Sequence, residues 1–272
     1  MKTRLIILTA ILCLSIGARS QIVVTYSLYE RNLYLAEVKQ VDEFVERFNN
    51  DKFHISIDTT KAEYKENNLL ALFNLENFKD ASDSLLAETT MFIRTVTDSS
   101  VKLHYEDTLW FAKAPCYGKF KNKSVNFTLW LNVEHRSADM YKWVVAKAEG
   151  DIFKLPPSYT SDRIMISPGE HETNFMSLKL ITTQKQDYIT NYKQKNFDLD
   201  ETSVFYSLVY YEMLSIDYVK DLEFWFFQVP GYVFRIKYFN RETHNSGWLI
   251  DKYEKISDEE KNEFLTNLYN QK

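Results

Sequence analysis

Five histidines, His54, His104, His135, His171 and His244, are scattered along the chain with no H-x3-H pair and no C-x2-C partner, so their spacing offers no zinc site. Six glycines in 272 residues build no phosphate-cradling loop, and no G-x-S-x-G elbow exposes a nucleophilic serine. No metal and no cofactor is therefore expected. His104 and Glu106 are the pair best spaced for acid–base work. In a strand, alternation would set both on one face, with Lys102 beside them. The same pattern also reads as an ordinary solvated face. Glu134, His135 and Asp217 fail as partners, because neighbours on a strand point to opposite sides. Cys116 follows Pro115 in a strand pattern and reads as a small buried hydrophobe, since a reactive thiol needs a nearby base or helix N-terminus. No catalytic residue is assigned, and His104 with Glu106 is the least unfavourable choice.

Aromatic side chains are the other functional hint. Trp110, Trp130, Trp225, Tyr210 and Tyr211 could line a pocket or a flat stacking surface for a sugar or a peptide. Trp143 and Trp248 read as core. Trp130 shares its strand face with Thr128 and Asn132, polar neighbours that mark an exposed face, so it is the candidate binding residue.

The elements that would position these residues follow from periodicity. Apolar positions recur every three or four residues over Asn32 to Asn49, more weakly over Tyr64 to Phe73, and again over Ser82 to Val96, giving three helices. The period then drops to two. Strands are expected over 101–106, over Leu109 to Phe120 with an interruption at Pro115, over Val125 to His135 and over Tyr141 to Glu149. Residues 150–168, with Pro156-Pro157 and little periodicity, read as a boundary. Beyond it, Ser167, Pro168 and Glu170 form a capping box that opens a helix running to about Thr183. A polar helix over Gln186 to Lys195 and a third helix capped by Asp198 and Glu201 follow. Ser215 to Gln228, the stretch from Val229 to Arg241, and Ser246 to Glu254 then read as three antiparallel strands, the first two joined at Pro230-Gly231. There proline pre-sets the turn and glycine accepts positive φ. Ser257 to Glu260 is a second capping box and opens a last helix. The fold class is α+β: two units of helices followed by an antiparallel meander, each a curved sheet packed on its helices, spanning 21–155 and 156–272.

Residues 1–20 form an export signal. Lys2 and Arg4 supply a positive start, Leu5 to Ile16 an apolar run, and Ala18-Arg19-Ser20 the small residues before cleavage between Ser20 and Gln21. About a dozen apolar residues fall short of the roughly 20 that span a bilayer. Cys13 is preceded by bulky Ile11 and Leu12, which argues against a lipid anchor. The protein is expected in the periplasm or outside the cell. Without these residues the chain carries 30 basic against 38 acidic groups, a net charge of −8 that disfavours nucleic acid and anionic membrane as partners. Only Cys116 remains, so no intramolecular disulfide can form. Stability must come from burial, for which the 42 aromatic residues are ample material.

A shift of 105 residues aligns Arg136, Trp143, Lys147 and Glu149 with Arg241, Trp248, Lys252 and Glu254, a pattern R-x6-W-[VL]-[VI]-x-K-x-E that suggests a tandem repeat. Two similar hairpins without common origin would give the same pattern. Helices followed by a bent antiparallel sheet, with an aromatic-rich hairpin ending in Asn245-Ser246-Gly247-Trp248-Leu249-Ile250, resemble the NTF2-like, cystatin-related α+β cone, here twice in tandem. The chain also resembles small exported proteins of Gram-negative bacteria, in which a helix like Val41 to Asn49 opens the mature domain. The resemblance implies a fold and carries over no functional residue. Three functions fit the sequence: a non-catalytic binding or interaction module for a protein, peptide or glycan outside the cytoplasm; a small-pocket enzyme using an acid–base pair; or a structural subunit of an envelope assembly.

Overall fold

The computed structural model describes residues 40–49, 62–78, 82–137, 140–154, 178–183, 186–194, 196–197, 199–241 and 245–269. Among them are six α-helices: α1 (Val41–Phe48), α2 (Ala62–Leu70), α3 (Asp83–Asp98), α4 (Leu180–Thr183), α5 (Glu201–Tyr210) and α6 (Asp258–Tyr269). The same residues form seven strands: β1 (Trp110–Phe120), β2 (Lys123–Ser137), β3 (Met140–Glu149), β4 (Leu214–Val219), β5 (Glu223–Phe226), β6 (Tyr232–Phe239) and β7 (Gly247–Lys255). The class is the expected α+β, with helices packed on an open antiparallel sheet of order β3-β2-β1-β5-β6-β7. The connection between the meanders differs from the expectation of a sheet for each. All seven strands lie in one sheet, because β1 pairs with β2 along one edge and with β4 and β5 along the other. The boundary at 155/156, the Ser167 capping box, the Ser20–Gln21 cleavage site and the first half of the Asn32 to Asn49 helix fall outside the described residues.

Three local departures from the sequence reading have visible causes. Residues 101–106 are irregular, with a turn at Tyr105-Glu106. Side-chain amides take the backbone groups a partner strand would have used: Asn49 accepts from Leu103 N–H at 2.7 Å and donates to its carbonyl at 2.9 Å, and Gln228 does the same for His104 at 2.7 and 2.9 Å. The run from Ser215 to Gln228 is two strands, broken near Asp221, whose φ of 56° lies in the left-handed region. Pro115 does not interrupt β1, and its carbonyl accepts the Lys220 N–H at 3.0 Å. Other signals read correctly. Tyr232 N–H closes the Pro230-Gly231 turn on the Val229 carbonyl at 3.2 Å, with Gly231 at φ 71°. Ser257 and Glu260 cap α6 reciprocally, at 2.8 and 3.2 Å. The cap of α5 differs from the expected Asp198 with Glu201: it is Asp200, which accepts from Ser203 N–H at 2.8 Å.

The chain divides into two compact units, one of residues 1–112, 133–142 and 221–261, the other of 113–132, 143–220 and 262–272. In the first, α1 buries Phe44, Val45 and Phe48, and α3 buries Thr89, Phe92, Ile93 and Val96, both stripes at helical spacing. These rings meet the inward residues of β5 and β6. Phe226 stacks on Phe234 at 4.9 Å, Phe48 on Phe234 at 5.6 Å, and Phe92 meets Tyr232 edge-on at 5.2 Å. The outer edge of β7 is covered by the loop after α2: Ile250 N–H donates to Leu72 and Asn74 N–H to Ile250, both at 2.8 Å, around a parallel bridge between Phe73 and Ile250. Asn245, 2% exposed, holds that loop by donating to the Ala71 and Phe73 carbonyls.

In the second unit α5 lays Phe205 against Phe127 and Phe153. The helix also answers polar groups of β3 and the residue after it. Thr202 Oγ1 accepts from Ala148 N–H at 3.1 Å, Glu201 from Gly150 N–H at 3.4 Å, and the Tyr206 hydroxyl donates to the Val145 carbonyl at 3.4 Å. Gly118 allows β1 and β4 to approach across a bulge, since a Cβ there would lie 1.9 Å from the Ser215 carbonyl oxygen.

Candidate functional site

Trp130 stands on β2, half-buried. The Lys113 ammonium of β1 lies over its ring, 5.4 Å from the centroid, and Phe264 of α6 meets it edge-on at 5.9 Å. On β3, Lys147 pairs with Glu149 at 2.8 Å. Burial opposes ionisation of Glu149, but the Lys147 hydrogen bond, the Trp130 indole N–H and the charges of Lys147 and Lys113 outweigh it and hold the carboxyl below its usual range. The indole nitrogen is buried and faces this carboxylate without reaching hydrogen-bond geometry.

Alongside, Pro115, Tyr117, Asn126, Thr128, Glu149 and Asp151 line a shallow trough of about 340 Å³, open to solvent. Tyr117 forms one wall, its ring stacked on Tyr218 of β4 at 4.8 Å. Chemically the trough presents π faces, an amide, a hydroxyl and an ionised carboxylate.

His104 and Glu106 do come together, with Nδ1 and Oε1 3.5 Å apart, through the turn rather than through strand alternation. Both side chains are more than half exposed. A separate cleft of about 190 Å³ lies between α3 and β7, lined by Phe73, Phe78, Leu85, Glu88 and Tyr253 among others. Its Tyr253 hydroxyl is bonded to Thr89 at 2.7 Å. Burial pushes that phenol up, so it stays protonated at neutral pH.

The remaining candidates separate by burial. Trp110 is core, 5% exposed and stacked on Phe226 at 5.3 Å. Trp143, expected in the core, is 40% exposed: β3 buries its Ala148 end and leaves its Met140 end in solvent. Trp248 is half-buried against Phe224 at 5.0 Å. Tyr210 and Tyr211 are 80% and 69% exposed. Cys116 is buried, and burial pushes its thiol up, as its structural reading requires. Among the described residues no group of three ligating side chains could hold a metal, and no helix is long and apolar enough to cross a membrane.

One polar cluster had no signal in the sequence. On β5, β6 and β7, Arg235 donates to both oxygens of Asp251 at 2.6 and 2.9 Å and lies 3.4 Å from both oxygens of Glu223, which Lys237 engages at 2.7 Å and Trp225 Nε1 at 3.1 Å. Arg235 also stacks over the Trp225 ring at 5.3 Å. A bulge makes it possible: Arg235 pairs with Lys252 and Ile236 with Ile250, so the extra residue Asp251 is turned toward the guanidinium. The opposite charges satisfy one another, which marks the cluster as a structural rivet.

Compared with protein-family models, with characterised proteins and with solved structures, the chain matches none.

Proposed function

We propose that this protein is an exported, non-catalytic binding module that meets its partner outside the cytoplasm through the Trp130 trough of β1, β2 and β3. The observation that carries the reading is a half-buried indole under a lysine, and beside it an open trough lined by Tyr117, an amide, a hydroxyl and a carboxylate held ionised. An open channel suits a chain laid along it, such as a glycan or an extended peptide, better than a molecule to be enclosed. A carboxylate kept below its usual range is a poor proton shuttle near pH 7 but a good acceptor for hydroxyl or amide donors. The export half of the proposal rests on Lys2, Arg4, the apolar run from Leu5 to Ile16 and the cleavage residues Ser20 and Gln21. Helices that precede an open antiparallel sheet and pack on it support the NTF2-like cone as the fold-level part of the reading.

The test is a screen of the mature chain, beginning at Gln21, against neutral oligosaccharides and extended peptides, followed by titration of the hits. Trp130→Ala and Glu149→Gln are each expected to weaken a hit about tenfold or more, with Glu149→Gln still cooperatively folded. Hits insensitive to both variants, or no hits, overturn the trough as the binding face.

The 3.5 Å contact of His104 with Glu106 favours a second reading, an enzyme using them as an acid–base pair. Replacing both by alanine separates the two proposals, because binding at the trough is expected to survive it.

A further inference from the structure

β4 is treated differently from the other margins of the sheet. The β7 edge is covered by Leu72 to Asn74, and β3 is answered by Thr202, Glu201 and Tyr206. β4 pairs with β1 on one side, and among the described residues no other strand pairs with it. Five of its six residues are exposed in succession, Ser215 to Val219. A six-residue strand with unpaired N–H and C=O groups is a template for strand addition unless charge, proline or cover blocks it. β4 contains no proline, and Asp217, its one charged residue, is offset by Lys119 at 3.8 Å.

The ground beside this edge is apolar. Tyr206, Tyr210, Tyr211 and Tyr218 are 51, 80, 69 and 55% exposed, and Val209, Met213, Ile216 and Val219 between 37 and 46%. At about 200 Å² per aromatic side chain, the four tyrosines alone leave roughly 500 Å² in water. Monomers rarely expose contiguous patches beyond a few hundred Å². With the aliphatic residues and the strand backbone, the surface is of the same order as the ~800 Å² that each partner contributes to a stable interface.

We infer that β4 is a self-association edge, at which a second copy of this chain adds its own β4 antiparallel about a two-fold axis. An antiparallel strand pair is self-complementary under that symmetry, so one patch serves as both halves of the interface. Pairing centred between Ile216 and Asp217 sets Tyr218 opposite Ser215 and Val219 opposite Leu214, and keeps the two Asp217 side chains out of direct opposition. The near-neutral strand removes the like-charge penalty that would otherwise oppose pairing of identical edges in a chain of net charge −5.

Sedimentation of the purified mature protein over about 1 to 100 µM is expected to show a monomer–dimer equilibrium. Ile216→Lys, at a 43% exposed position, is expected to raise the dissociation constant at least about tenfold with an unchanged melting temperature. The double variant Tyr210→Ser/Tyr211→Ser, outside the strand, is expected to weaken the dimer without touching the ladder. A wild-type chain that stays monomeric to 100 µM, or a dimer indifferent to both variants, overturns the inference.

Discussion

Arg235 joins the carboxylates of Glu223 and Asp251. Burial opposes ionisation of its partner Glu223, yet the Lys237 hydrogen bond, the charges of Arg235 and Lys237 and the Trp225 N–H outweigh it and hold that carboxyl below its usual range. A carboxyl whose folded pKa is depressed contributes stability that is fully present above the unfolded value, near 4.3, and is lost as pH falls through the lower folded value. Acid unfolding should therefore steepen below about pH 4.5. In Glu223→Gln that limb should flatten, at some loss of stability at pH 7, as followed by far-UV circular dichroism. Arg235→Ala leaves two acids without their main partner and is expected to cost about 3 kcal/mol in urea unfolding. These residues were invisible in the sequence because Asp251 reaches Arg235 only through the extra residue of a bulge, and strict alternation has no place for one. For Trp130 the expectation of an exposed face, drawn from Thr128 and Asn132, fails in part: Asn132 is buried at 6% and Trp130 half-buried, and Lys113 and Glu149 beside the indole come from other strands, which alternation within one strand does not reveal.

At the scale of elements, capping chemistry and periodicity translated directly into structure where the chain acts locally. Ser82 caps α3 through Leu85 N–H at 3.3 Å, and Ser257 with Glu260 caps α6. Elements set by distant partners were misjudged. Residues 101–106 alternate like a strand but are satisfied by Asn49 and Gln228, and no local pattern announces such a side-chain clamp. The close approach of β4 to β1 has a direct test. Gly118→Ala would place a methyl group against the Ser215 carbonyl oxygen, so the strands must separate or β1 must bend. The expected cost is about 2 kcal/mol, read as a lowered melting temperature, with enhanced hydrogen exchange in β4 and little change in β6 and β7.

For the whole molecule, the decisive fact is that β1, from the first half of the chain, lies between β2 on one side and β4 and β5, from the second half, on the other. Helices followed by strands could be counted from the sequence twice over, and the α+β class with them. Which strand pairs with which is a long-range choice that period and turn signals do not encode. Fragments 21–155 and 156–272, expressed separately, are expected to be insoluble or unfolded, because each lacks strands that pair with its own. Coexpression should restore a soluble complex, checked by gel filtration and circular dichroism.

The lone thiol beyond the first twenty residues offers an experimental opening. Cys116 sits sealed inside the strand that joins the two ladders, with its sulfur 3.3 Å from the Ala114 carbonyl oxygen. Any alkylating reagent can reach it only when that strand comes apart. The chain beyond residue 20 thus carries a built-in clock, and timed pulses of reagent would read how often the centre of the sheet opens while the rest still counts as folded.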